Sequence, residues 1–302
     1  MDTRYARIGL LLLLTPALAR AQANGPGVWG ARSAALGGTA VTVPDGAWAA
    51  GNNPAALGEL SHLTVGFQAA NQFLLANLST VGVAAALPVG PQLPPQPVPG
   101  VPAAVAARQA PRYGVVGVTA RRFGNKQYAE QGLGLSYGYR LGTVSVGARV
   151  EVMQLSIEGL GSRRAVAASL GGQADILPRK LTFGASLVNL NQARLAPDQD
   201  ERLPTVLRAG LAYRPSEKVL LLTEVEKDVE QAADVRAGLE YQVLASLALR
   251  AGVSAYTEQL TGGFGVQAGQ LHIDYAAAWH SALGLSQHLS VAVALGKSGP
   301  KL

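Results

Sequence analysis

From about Leu63 to Leu295 apolar and polar residues alternate with a period of two, in about fourteen stretches divided by turn residues. Asp234–Val243, DVRAGLEYQV, is the clearest: Val235, Ala237, Leu239 and Tyr241 fall on one side and Arg236, Gly238, Glu240 and Gln242 on the other. Side chains of a strand alternate faces, so each stretch makes one apolar and one wet surface. Repeated along the whole chain, behind a secretory signal, the pattern predicts an all-β fold: an about 14-stranded antiparallel transmembrane β-barrel with an N-terminal plug segment.

The signal is read from residues 1–21. Arg4 and Arg7 precede the apolar run Ile8–Leu14, Pro16 follows, and Ala19-Arg20-Ala21 fits a small-x-small cleavage site. The apolar run is too short to cross a bilayer, which takes about 20 residues as a helix. No later stretch reaches that length, so any crossing falls to strands. The expected location is the outer membrane of a Gram-negative cell, reached by a cleavable signal peptide.

Composition narrows the chemistry. With no cysteine, thiol catalysis, disulfides, thiolate metal sites and a lipidated cysteine are all excluded. The formal charge of +6 drops to +4 without residues 1–21, which hold three Arg and one Asp. The basic residues are scattered along the strands without an aromatic-lined stripe, so no nucleic-acid partner is expected.

The strands are expected near 63–73, 78–88, 112–123, 131–141, 143–153, 164–175, 180–190, 205–214, 218–228, 233–243, 246–256, 260–268, 270–280 and 287–295. Eleven residues tilted near 45° span about 25 Å, an outer-membrane apolar band. Tight links are expected near Gly142, 177–179, 215–216, 244–245 and Gly269, on the periplasmic side. Longer ones are expected near 154–163, 191–204, 229–232, 257–259 and 281–286. The barrel should run over 62–296, with 297–302 as a tail. Residues 88–111 hold eight of the 17 prolines and read as an insertion of extended chain, on the periplasmic side by strand parity.

Residues 22–61 lack a period of two. Small residues dominate, with Trp29, Trp48, Asn52, Asn53, Pro54 and Ala55 as landmarks. Fourteen strands enclose more space than wall side chains fill. This segment is long enough to fill it, so a plug, or hatch, is expected with Asn52, Asn53, Pro54 and Ala55 shaping it.

The wet faces should carry a lumen charge ladder: Arg208, Glu224, Glu226, Arg236, Glu240 and Arg250. Hairpins closing at Ser216, Gln231 and Ala245 would oppose Arg208 to Glu224, Glu226 to Arg236 and Glu240 to Arg250, favourable cross-strand pairs. An Arg or Lys facing lipid would cost about 2–4 kcal/mol at the midplane, so these charges should point inward. Alternating signs favour neither anions nor cations, and the ladder reads first as register-setting glue. Tyr137, Tyr139, Tyr213, Tyr241, Tyr256 and Tyr275 should form a thin aromatic girdle.

Catalytic and cofactor motifs are discounted. Gly25–Gly30 matches G-x-G-x-x-G but follows no strand. Ser281 or Ser290 with His280, His288 or Asp274 could formally compose a hydrolytic set, yet no nucleophile elbow supports one. No catalytic residue, metal site or cofactor is expected, and the chain is read as a non-enzyme.

The stretch ARSAALGGTAVTVPDGAWAAGNNPAALGEL resembles the N-terminal segment of FadL-like outer-membrane proteins, with Asn53-Pro54-Ala55 at the position of their plug element. LTFGASLVNLNQ (181–192), LPTVLRAGLAYRP (203–215), VRAGLEYQVLASLALRAGVS (235–254) and IDYAAAWHSALGLSQHLSVAV (273–293) look like the PorV/PorQ branch, common in Bacteroidetes. The resemblance implies one of two jobs. FadL-type members pass hydrophobic molecules and release them through the barrel wall. PorV-type members are non-enzymatic accessories of type IX protein secretion that bind C-terminal signals of secreted proteins. The implied partners are outer-membrane lipid and either hydrophobic small molecules or those signals.

Overall fold

The computed structural model describes residues 27–93, 110–111, 113–195 and 202–296. The signal segment 1–21, most of the proline-rich insertion and the tail 297–302 lie outside the described residues.

Fourteen antiparallel strands close into one ring: β1 (Leu63–Asn71), β2 (Ser79–Pro88), β3 (Val115–Gly124), β4 (Tyr128–Leu141), β5 (Val144–Ile157), β6 (Gly161–Leu177) and β7 (Leu181–Val188), then β8 (Val206–Ser216), β9 (Val219–Asp228), β10 (Asp234–Leu244), β11 (Leu247–Ser254), β12 (Gln259–Ala268), β13 (Leu271–His280) and β14 (Gly284–Leu295). Each strand pairs with its sequence neighbours. β1 pairs with β14 from Leu63 opposite Leu295 to Asn71 opposite Gln287, which shuts the ring and leaves no sheet edge. Within the described residues the only other ladder joins 92–93 to 110–111, at the base of the proline-rich insertion. That insertion leaves β2 at Pro88, opposite Val115, on the same end as the tight turns.

One connection departs from expectation. The link 154–163 was expected to be long, but β5 and β6 stay paired up to Ile157 opposite Gly161, leaving a three-residue turn of 158–160. The stretch 154–164 includes the polar pairs Gln154–Arg164 and Ser156–Ser162, which read as loop but zip as well as apolar ones. β6 therefore outruns β7, which it meets only from Leu170 onward. Beyond that point a loop stands in for a strand. The N–H of Ala168 donates to Asn191 Oδ1 at 2.8 Å, and Asn191 Nδ2 donates to the Val166 carbonyl at 2.8 Å.

The alternating pattern sorts the surfaces. Outward positions are apolar and open to the surroundings, as at Leu133 (59% exposed), Leu135 (58%) and Val146 (55%). Tyr137, Tyr213 and Tyr241 also point outward, toward the end with the tight turns. The buried residues lie inside the ring. Residues 28–60 form a five-residue helix (Ala31–Ala35), two 3-10 turns (Gly46–Ala50 and Pro54–Glu59) and irregular chain between them. They carry the most fully buried apolar side chains, including Trp29, Leu36, Val41, Trp48 and Leu57. Trp29 and Trp48 stack with ring centroids 6.5 Å apart.

Candidate functional site

The interior is a seat built of glycine. Eleven strands turn a glycine inward where the segment 28–60 passes. A methyl group on Gly147 would lie 2.3 Å from the Pro54 carbonyl carbon, one on Gly171 2.0 Å from Asn53 Oδ1, and one on Gly252 2.1 Å from the Gly37 nitrogen. Gly66 and Gly82 accept the faces of Trp48 and Trp29 in the same way. The wall has given up side chains there so that backbone can meet backbone.

Polar side chains then fasten the segment. Asn52 pairs with the backbone of Trp29 in both directions: Oδ1 accepts from the Trp29 N–H at 2.8 Å and Nδ2 donates to its carbonyl at 2.9 Å. Asn53 caps the turn after it, accepting from the Ala55 N–H at 3.1 Å. Its Nδ2 donates to the carbonyls of Val41 at 2.6 Å and of Gly172 in the wall at 3.3 Å. Pro54 occupies the first position of that turn, where a missing N–H costs nothing. Asn52 and Asn53 thus hold chain ends 23 and 12 residues away in sequence, which an irregular segment without a ladder requires.

The charges expected in the lumen all face inward, but two of the three expected oppositions are corrected: Glu226 stands opposite Asp234 rather than Arg236, which faces Glu224, and the pairing of Arg208 also shifts. Arg208 stands opposite Glu226, not Glu224, and donates from Nε to Glu226 Oε2 at 2.6 Å. The hairpin closes one position later than a turn at Ser216 would give, with an irregularity between Tyr213 and Ser216. Glu224, opposite Gly210 and Arg236, is released for another role. Its Oε2 accepts from the N–H groups of Ala40 and Val41, at 2.7 and 2.8 Å. Glu226 does bond Arg236, at 2.7 Å, and Arg250 does bond Glu240, at 2.6 Å.

Four groups were missed in the sequence. Arg32 reaches from the helix to Glu240, joining the expected Glu240–Arg250 pair, which extends to Asp274. Asp45 lies 3.6 Å from Arg32, and its Oδ2 has no hydrogen-bond partner among the described residues. Arg140 bridges Glu59 and Asp175, each at 2.6 Å. Arg149 donates to the Ala50 carbonyl. Inward parity marks Arg140, Arg149, Asp175 and Asp274; nothing local marks Arg32 or Asp45. Burial pushes the Asp45 carboxyl up to about 6 against the pull of Arg32.

The formal hydrolytic set is not assembled. Ser290 Oγ accepts from the Ala31 N–H at 3.0 Å, Ser281 bonds Glu258 at 2.8 Å, and His280 Nδ1 accepts from the N–H groups of Ala282 and Leu283.

Two spaces flank the seated segment. Toward the tight turns lies a cavity of about 290 Å³, lined by Arg32, Asp45, Glu240, Arg250, His272 and Asp274 among others. Toward the longer loops lies a smaller one of about 110 Å³, lined by Val28, Trp29, Gln68, Phe123, Glu130 and His288 among others; at the same end Leu195 and Leu203 pack on Ala165 and Ala167, against Met153 and Leu155, as a buried apolar cluster. The link 191–204, expected only as one of the longer connections, carries these two leucines inward.

The whole barrel is similar to several solved structures. The toluene transporter TbuX of Ralstonia pickettii matches with a TM-score of 0.59 and 14% identity, over 89% of this chain and 97% of that one. The toluene transporter TodX of P. putida matches at 0.57 and 13%, over 90% and 100%. A FadL homologue of Pseudomonas aeruginosa matches at 0.57 and 12%, over 90% and 98%. No protein-family model and no curated protein matches the sequence.

Proposed function

We propose that this chain is an outer-membrane barrel that gives small hydrophobic solutes passive passage, with 22–61 as its internal plug and 1–21 as its cleaved export signal. The single observation that carries the reading is the recess of about 110 Å³ at the loop end, walled in part by Val28, Trp29, Ala31 and Phe123 and bordering the polar-fastened segment that occupies the lumen. An apolar solute gains by leaving water for such a recess, at about 25 cal/mol per Å² of surface buried. It then needs only local displacement of the segment to advance. The fold shared with TbuX and TodX supports this reading, as does a closed ring with an apolar exterior, which lipid accepts and water does not. The ion pairs keep the wall and plug in register around that route.

The test is uptake of a hydrophobic dye by liposomes carrying the full chain, the chain without 22–61, or Arg32→Ala. Faster uptake than empty liposomes, raised further by either change, is expected. Uptake equal to that of empty liposomes for all three overturns the reading.

One observation favours a second reading, a PorV/PorQ-like accessory of type IX secretion. β2 and β3 are paired without interruption from Thr80 to Pro88, and the one stretch of wall not zipped strand to strand, β6 before Leu170, is covered by the loop at Asn191, so a solute meets no open sideways exit there. Purification from the native membrane decides. Secreted-protein C-terminal signals or secretion components that come along favour this reading; their absence removes it.

A further inference from the structure

The exterior of the barrel carries three charged residues at outward strand positions, Arg122, Arg164 and Lys227, and two of them end one continuous polar row. Arg122 on β3 stands opposite Gln131 on β4, Gln131 opposite Gln154 on β5, and Gln154 opposite Arg164 on β6. Followed the other way round the ring, the same row becomes Val81, Ala69 and Leu289, all apolar. One step toward the tight turns, the same four strands present Ala120, Leu133, Val152 and Val166. The polar row is therefore confined to four strands and sits at the loop-side limit of the apolar band.

The two ends of the row remain able to bind. Arg122, Gln131 and Arg164 are exposed, and Arg122 has no ion-pair partner among the described residues. Arg164 is already aimed: its Nε donates to Gln154 Oε1 at 2.7 Å, which leaves the fork of the guanidinium open. Lys227, by contrast, is turned back onto the Gln231 carbonyl.

We infer that this row binds the headgroup of a phosphorylated glycolipid of the surrounding leaflet. The inference rests on the membrane placement of the barrel and not on what passes through it. An arginine at the edge of a bilayer lies among headgroups, and its planar fork matches phosphate oxygens in pairs. The two guanidinium groups end a row three strand spacings wide, roughly 14 Å at about 4.8 Å each. Between them stand two carboxamides: Gln131 is open to donate to and accept from a sugar hydroxyl, while Gln154 donates from Nε2 to Ser156 Oγ at 3.2 Å and holds Arg164 through Oε1. Two phosphates separated by a hydroxyl-bearing sugar spacer complement that order of groups; a headgroup with one phosphate fills only one end.

The experiment uses the full chain in detergent, with binding followed by native mass spectrometry and by the melting temperature. The probes are a bis-phosphorylated disaccharide lipid, the same lipid without phosphates, and inorganic phosphate. One molecule of the phosphorylated lipid should bind and raise the melting temperature. Arg122→Gln and Arg164→Gln should each weaken it about five-fold and together roughly thirty-fold, with Lys227→Gln unchanged. Without lipid, Arg122→Gln should melt like the parent, and Arg164→Gln and Lys227→Gln should fall by no more than the loss of one exposed hydrogen bond each. Equal affinity in the double variant, equal binding of the dephosphorylated lipid, or displacement by millimolar inorganic phosphate would each overturn the site. Failure of the chain to float with liposomes would remove the membrane placement itself. Normal flotation with no preference among lipids would remove only the headgroup site.

Discussion

Arg32 and Glu240, 208 residues apart in sequence, meet in a two-pronged ion pair. Arg32 Nε donates to Glu240 Oε2 at 2.8 Å and Nη2 to Oε1 at 2.7 Å. The first belongs to the only α-helix among the described residues and the second to the wall. Both side chains are largely shielded, and removing Glu240 leaves Arg32 only the more distant Asp45, at 3.6 Å, as an ion-pair partner among the described residues, and takes a carboxylate from Arg250 as well. Glu240→Ala should destabilise the protein by about 3–5 kcal/mol, whereas a double replacement by apolar residues of like volume should cost much less. Thermal unfolding in detergent measures both, and equal losses would remove the pair from its role as a fastener.

The glycine seat gives a contrast within one strand. Gly171 points at Asn53, while nothing lies within 4 Å of a methyl group on Gly172, the next residue. Gly171→Ala should cost about 1–3 kcal/mol, because the obstructing carboxamide is itself buried and bonded. Gly172→Ala should leave the melting temperature within a degree or two. Similar melting of the two variants would show that the segment yields freely.

Asn53→Ala removes the cap on Ala55 and one of two donors to the Val41 carbonyl; Gln173 Nε2, at 2.8 Å, remains as the other. The loss should therefore stay near about 1–3 kcal/mol rather than unfold the barrel. Limited proteolysis should cut within 28–60 faster than in the parent protein. An unchanged cleavage rate would contradict this account of the Asn-Pro-Ala element.

Asp45 supplies a pH dependence. Its carboxyl is raised from an ordinary value near 3.8 to about 6 by burial, so the folded protein binds the proton more tightly than the unfolded chain. The stabilisation this gives is complete below the ordinary value and is lost as pH rises through about 6. Asp45→Asn, which mimics the protonated acid, should melt like the parent at pH 4 and higher at pH 8, by on the order of 1 kcal/mol. A parent protein whose melting temperature is flat across that window would refute the assignment.

The wall was legible because a strand writes its two faces directly into the residue order. DVRAGLEYQV and its thirteen companions place every strand within a few residues of where the structure has it. Register was less legible. The one-position error at Arg208 arose from the irregularity between Tyr213 and Ser216, which no pattern of polarity records. The true extent of β5 and β6 was hidden for the opposite reason: Gln154, Ser156, Ser162 and Arg164 are polar because of where they sit, not because they leave the ladder. The interior was least legible. Asn52 and Asn53 stood out, but Gly147, Gly171 and Gly252 act through atoms they lack.

That ring of bare backbone has a bearing on how the molecule is put together. A core touched by eleven staves at under-methyl clearance leaves no open side for threading it in once the hoop is shut. The leading segment fits the hoop as a mandrel fits a coil: the staves are relieved to its shape, and the stave that follows it directly, Leu63–Asn71, is clasped on both flanks, by Ser79–Pro88 and Gly284–Leu295.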